Sequence, residues 1–424
     1  MARESTIATV RGRRVWDSRG RPTVEVEVAL SGGAAGRAIA PAGASTGTGE
    51  AVDLRDGGAA FGGLDVRRAV ANVNDIMAPA LAGQDALNQE AVDRLLADLD
   101  GTPDKARLGG NAIVAASMAV LHAAAASRGL PLWRHLAGDG EVTIPLPQIQ
   151  IFGGGAHAAR RVDVQDFMVT CPSAGSFAEA LDRTAEVYRA AGELMAARGL
   201  IQGVADEGGW WPAFASNEEA LDWLVRAIER AGFAPGREVA IALDVAASEF
   251  GEGGRYRLAL DGRELDADGM IAMLGRWIER YPIVSVEDPL AEDDPEGFSR
   301  FTAAFGQKVQ VVGDDFLVTN AARVREAARA RACNAVLVKP NQAGTVTETK
   351  AALDAAKSAG FAAIVSARSG ETEDVTVVHL AVGWNAGQLK VGSFARSERM
   401  AKWNEALRIE EALGARARLA RPFA

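Results

Sequence analysis

Cysteine is nearly absent from this sequence: Cys171 and Cys333 are the only two in 424 residues, far apart and in apolar or mixed surroundings. That excludes a disulfide framework or a cysteine-rich zinc site and makes a reducing cytoplasm the expected location. Positive charge is also in deficit. A formal net charge of −10 argues against nucleic acid or an anionic membrane as partner. It leaves room for an anionic substrate, because a bound metal ion reverses the local sign. Long hydrophobic runs are missing as well. The longest apolar stretch, Ala112 to Ala126, is interrupted by Ser117 and His122, and it reads as a buried alanine-rich helix rather than a bilayer span. The first residues, Met1-Ala2-Arg3-Glu4-Ser5-Thr6, carry no apolar core of the secretory kind.

A chain of this length exceeds what one core accommodates, so two domains are expected, one of them long enough for a barrel of roughly 250 residues. The first, over 1–135, reads as a small α+β domain. Thr23-Val24-Glu25-Val26-Glu27-Val28-Ala29-Leu30 alternates polar and apolar residues, the period of a half-buried strand. A second run, Arg37 to Pro41, follows Gly32-Gly33 and completes a hairpin. The glycine-rich Pro41 to Glu50 segment reads as a mobile loop. Helical patterns follow from Val66 to Ala82, Asn88 to Asp98 and Leu108 to Arg128, and Pro131 to Pro147 reads as the passage between domains.

In the second domain, over 140–424, short apolar runs lead repeatedly to a charged residue. These residues are Asp244, Glu287, Asp314, Lys339, Arg368 and Lys390, spaced 22 to 43 residues apart, close to one strand–helix unit. Strands apolar along their length suit a parallel sheet covered on both faces. Closed into a barrel, such a sheet gathers its strand ends at one rim. Three carboxylates there would repel one another without a cation between them, and all-oxygen ligands suit Mg²⁺. Each acid alone could equally cap the helix after its strand. Lys339 and Lys390, set among cations, are expected to have a disfavoured charged form and so to serve as bases. Arg368 and Ser369 offer a planar cation and a hydroxyl to a phosphate. Asp206-Glu207-Gly208-Gly209 places carboxylates on a turn, suited to proton transfer or to nothing more than a turn. His157 follows Gly153-Gly154-Gly155 in a loop, although a lone histidine is more often structural. His122, His135 and His379 fall in helical patterns and read as structural.

Ordered motifs extend this picture over nearly the whole chain. They include Asp17-Ser18-Arg19-Gly20, Gly43-Ala44-Ser45-Thr46-Gly47, Leu108-Gly109-Gly110-Asn111 and Asp206-Glu207-Gly208-Gly209. Val286-Glu287-Asp288-Pro289, Gly313-Asp314-Asp315, Arg368-Ser369-Gly370-Glu371-Thr372 and Arg396-Ser397-Glu398-Arg399 continue the series. Together they resemble the enolase family. The resemblance implies an α/β chain: an N-terminal α+β domain, then a modified (β/α)₈ barrel, assembled as a homodimer or higher homo-oligomer. It implies Asp244, Glu287 and Asp314 as ligands of one Mg²⁺, and Ser45 as a contributor to a second. Lys339 would remove the proton α to a carboxylate, and Glu207 would assist departure of the β-hydroxyl, with Asp166 and His157 in the same catalytic group. Arg368, Ser369, Lys390 and Gln165 would hold the substrate, a small phosphorylated carboxylate.

The sequence also departs from the family pattern. Gln165-Asp166-Phe167-Met168 has aspartate where enolases carry glutamate, and Ser366-Ala367-Arg368 lacks their histidine. Gly153 replaces an asparagine, Gly49 a loop tyrosine, and Trp210-Trp211 a Phe-Ala pair. With metal and base residues retained but the leaving-group side altered, the expectation is a diverged enzyme of phosphonate antibiotic metabolism, such as a carboxyphosphonoenolpyruvate synthase. Asp166 is then expected to fall short of the leaving group, and Ala367 to open space for a second substrate. The alternatives are an ordinary phosphopyruvate hydratase and a non-catalytic enolase-fold protein, the last expected to have lost metal ligands.

Overall fold

The alternating valines do form a strand. In the computed structural model, which describes residues 4–423, Pro22–Leu30 is the central strand of a three-stranded antiparallel sheet between Ile7–Trp16 and Ala35–Ile39. Residues 1–3, half of the start read above, lie outside the described residues. Val24, Val26 and Val28 are fully buried. The opposite face is more covered than the alternation implies, because Glu25 is buried between Arg13 and Arg37 of the flanking strands and paired with both. The first strand had no clear pattern in sequence, since its residues are mostly partly or fully exposed.

Helix Gly110–Ser127 packs across this sheet. It is long and apolar enough to cross a membrane by length and composition, yet 83% of it is buried inside the protein, as a core helix would be. Gly36 makes the close packing possible: a Cβ there would come within 2.2 Å of Ala123 N and 2.4 Å of Ala119 O. The passage between domains is not all loop, for it contains helix Leu132–Ala137.

Eight strands then close a barrel. In order around it they are Leu146–Gly153, Asp166–Thr170, Ala240–Asp244, Ile283–Glu287, Gln310–Gly313, Ala335–Val338, Ala362–Ser366 and Gly387–Ser393. Pairing of Gln388 with Leu146 and Lys390 with Gln148 closes the ring. The sheet is not wholly parallel. The second strand runs antiparallel to both neighbours. Only a short 3₁₀ turn, Gly155–Ala158, lies between the first two strands, and without a crossover helix the chain returns antiparallel. Two helices, Phe177–Ala196 and Asn217–Arg230, follow the second strand, each capped by a serine (Ser176, Ser216) that accepts the N–H of a glutamate three residues on. From the third strand onward, barrel strands and helices alternate, apart from a small antiparallel sheet of Gly251–Glu252, Arg255–Leu258 and Arg263–Asp266 inserted after the third strand.

Candidate active site

Strand direction decides which side chains meet. Asp244 and Glu287 end their strands and Asp314 follows the next, so all three reach one rim. Asp166 reaches the same rim from the opposite direction: it begins an antiparallel strand and pairs in register with Asp244. Lys339 follows the sixth barrel strand, and Arg368 stands two residues beyond the seventh. Lys390 departs from the expected placement. It lies inside the eighth strand, at the irregularity in pairing between Lys390 and Gly392, and reaches the rim by its length.

The buried charges are tightly interlocked. Lys390 Nζ bonds Asp244 Oδ2 at 2.8 Å and both Glu287 oxygens at 2.9 Å, with Asp166 Oδ2 at 3.6 Å. Lys339 is paired with Asp314, whose other oxygen accepts from Gln342 at 2.9 Å. This corrects the expectation for the lysines. Burial opposes their charged forms, but the nearest groups are carboxylates, so Lys339 is held above its ordinary pKa and Lys390 well above. Glu287 is pushed well above the usual carboxylate range, by burial first and then by Asp244. The Asp288 carboxylate accepts the N–H groups of Asp314 and Asp315 at 2.9 and 2.8 Å and so orients the Asp314 turn.

Opposite lies an acid–imidazole group. His157, Asp166 and Glu207 bring their polar atoms within 4.8 Å of one another. His157 Nδ1 is 3.0 Å from Asp166 Oδ1, and Nε2 is 3.7 Å from Glu207 Oε1. Burial alone would lower the His157 pKa, but Glu207 and Asp166 raise it to about 9. Asp166, despite burial, is held down to about 2 by His157 and Lys390.

Arg368 is committed to the loop over the rim. It donates to Glu50 at 2.9 Å, to Asn341 at 3.2 Å and to the Ser45 carbonyl at 2.8 Å. Ser369 is buried beside it, and buried Arg399 grips the Arg368 and Ser369 carbonyls. Gln165 donates to Asp244 at 3.1 Å, while its Oε1 is buried without a partner. Ser45, Gln165, Asp166, His157, Glu207, Lys339, Ala367, Ser369 and Lys390 all line one cavity of about 20 Å³, room for little more than a water. A wider cleft of about 440 Å³ lies outside the rim, lined by Thr48, Glu292, Phe316 and Arg323, and lacks the converging lysines.

The donor set fits Mg²⁺. The rim offers buried carboxylate oxygens and an unpartnered Gln165 oxygen, and two carboxylates share one ammonium while Glu287 is driven toward protonation. The site is short of positive charge, which a hard divalent ion would supply.

Residues 7–136 match the family described as enolase, N-terminal domain, and residues 141–422 match enolase, C-terminal TIM barrel domain. This chain belongs to the enolase family. It is 50% identical to "Enolase 1" of Desulfitobacterium hafniense over 415 residues, 97% of this chain and 95% of that protein. It is 51% identical to "Enolase" of Rubrobacter xylanophilus over 409 residues, 96% of this chain and 95% of that protein. Enolases are carbon–oxygen lyases, and this one keeps a buried lysine and three acidic candidates for metal binding at its rim. Sequence reasoning passed over Glu50, Gln150 and Asp288. Gln150 had a visible signal: with Gln148 it is one of two polar residues in an otherwise apolar strand.

Proposed function

We propose that the protein is a phosphopyruvate hydratase, interconverting 2-phosphoglycerate with phosphoenolpyruvate and water. The observation that carries this is the lining of one small cavity by both Lys339 and the clustered Glu207, His157 and Asp166. Similarity to proteins named enolase over nearly the full chain supports it. The phosphonate reading has no support among the relatives, which carry the plain name enolase.

Asp244, Glu287 and Asp314 would hold Mg²⁺, with Ser45 reaching toward a second ion at the phosphate. When bound, the metal supplies positive charge that answers the buried carboxylates and offsets charge developing on the substrate carboxylate. Lys339 is the base: it must first give up the proton that its pairing with Asp314 stabilises, and as the neutral amine it takes the proton from the carbon α to the carboxylate. Lys390 faces that carboxylate, and Arg368 with Ser369 holds the phosphate. Glu207, taking a proton from the charged His157 beside it, passes it to the departing β-hydroxyl as the C–O bond breaks, and water leaves. Asp166 keeps His157 charged and in place beside Glu207. The closed loop carrying Ser45 excludes bulk water, so it must open for substrate to enter. Formation of phosphoenolpyruvate from 2-phosphoglycerate, followed by ultraviolet absorbance with Mg²⁺ and again after chelation, tests the reading. Turnover that survives exhaustive chelation, or none with Mg²⁺, contradicts it.

A further inference from the structure

Gln150 sits wholly buried in the first barrel strand, facing the acid–imidazole group. Its amide orientation is fixed. The Gly209 N–H can only donate, and it meets Gln150 Oε1 at 2.8 Å; the Nε2 end therefore donates to Asp166 Oδ1. A reversed amide would set acceptor against acceptor at Asp166 and donor against donor at Gly209. The space on one side is cut to this side chain: a Cβ on Gly209 would come within 2.4 Å of Gln150 Oε1.

The contacts form a closed circuit. Gln150 binds Asp166, Asp166 binds His157 at 3.0 Å, and His157 approaches Glu207 at 3.7 Å. Glu207 returns to Gln150 through the turn that ends at Gly209. Asp166 Oδ1 thus takes two donors, while Oδ2 is left without a hydrogen-bond partner, 3.6 Å from Lys390 Nζ. Aspartate brings one methylene to this contact and glutamine two. We propose that Gln150 is the positioning residue of the leaving-group end, its longer arm making up for the short Asp166 and setting that carboxylate's distance from Glu207. This rests on the hydratase reading, in which Asp166 and Glu207 serve the departing hydroxyl.

The test uses the full-length protein with Mg²⁺ and 2-phosphoglycerate, in the wild type and three variants: Gln150→Leu, Gln150→Asn, and Gln150→Asn combined with Asp166→Glu. Misplacement near 1 Å costs on the order of 10²-fold, so both single variants should lose roughly tenfold to a hundredfold in dehydration kcat. KM should move less than about threefold, and exchange of the α-proton with D₂O, which needs Lys339 rather than the leaving-group end, should stay near wild type. The double variant moves one methylene from one side to the other and should recover to within about threefold of wild type. An active wild type with an unimpaired Gln150→Leu, exchange falling in parallel with dehydration, or a double variant no better than Gln150→Asn overturns the proposal while leaving the hydratase reading intact. A wild type that forms no phosphoenolpyruvate overturns that reading, and this proposal with it. If Gln150→Leu fails to fold by circular dichroism, the comparison of Gln150→Asn with the double variant decides.

Discussion

Removing the Lys390 charge should destabilise the metal-free protein and make its stability depend steeply on Mg²⁺. The ammonium bonds Asp244 at 2.8 Å and Glu287 at 2.9 Å, with all three groups buried. Lys390→Met keeps the length of the chain but leaves two carboxylates facing each other across the space between. At such a separation their repulsion is on the order of 3 kcal/mol at an effective dielectric constant of about 20. Losing one partner of a buried ion pair costs about 3–5 kcal/mol in total. Urea unfolding in EDTA should show a loss of that size. Added Mg²⁺ should restore more stability to the variant than to the wild type, because it supplies the missing charge. A loss below about 1 kcal/mol in EDTA, or equal Mg²⁺ stabilisation of both proteins, would refute the charge balance described for the rim.

Asp93 links the two domains, accepting from Ser117 on one side and from Thr347 N–H and hydroxyl on the other. Asp93→Ala should cost about 2–4 kcal/mol by leaving the buried Ser117 hydroxyl and the partly buried Thr347 donors unpaired, measurable by urea unfolding. His379 is held down to about 4 by burial, with nearby His122 adding to the effect. Below its ordinary pKa the unfolded chain takes a proton that the folded chain refuses, so stability present above pH 6.5 is lost as the pH falls toward 4. The loss at pH 5 should be about 2 kcal/mol and should vanish in His379→Gln; an unchanged pH slope in that variant would exclude the histidine as its source. Glu292 accepts both the Thr48 N–H and hydroxyl at 2.8 Å and so ties down the loop carrying Ser45. Glu292→Ala should raise KM for 2-phosphoglycerate on the order of fivefold to tenfold with a smaller change in kcat, by loss of two hydrogen bonds.

The barrel and its rim were legible because each apolar run leads to a charge, and a closed sheet has only two ends for such charges to occupy. Asp244, Glu287, Asp314 and Lys339 fell where that rule puts them. The rule failed for Asp166 and Lys390. Asp166 begins its strand, and only the reversed direction of that strand brings it to the rim. Lys390 is interior to its strand, where strand-end reasoning has no purchase. The charge state of the lysines was misjudged for a related reason: spacing showed cations recurring along the chain, but nearest neighbours in space are carboxylates. The substitutions at Asp166 and Ala367 suggested an enlarged site, because a missing side chain in sequence reads as a missing volume. In the folded protein Gln150 reaches the shortened acid from an adjacent strand.

The most direct measurement follows the protein with Mg²⁺ and 2-phosphoglycerate in D₂O by ¹H and ³¹P NMR, in wild type and in Lys339→Ala. The wild type should exchange the α-proton and form phosphoenolpyruvate, and the variant should lose both while still binding substrate, since a base acts in the transition state. Exchange at the native rate in Lys339→Ala would remove this lysine as the base and contradict the assignment of the two sides of the cavity.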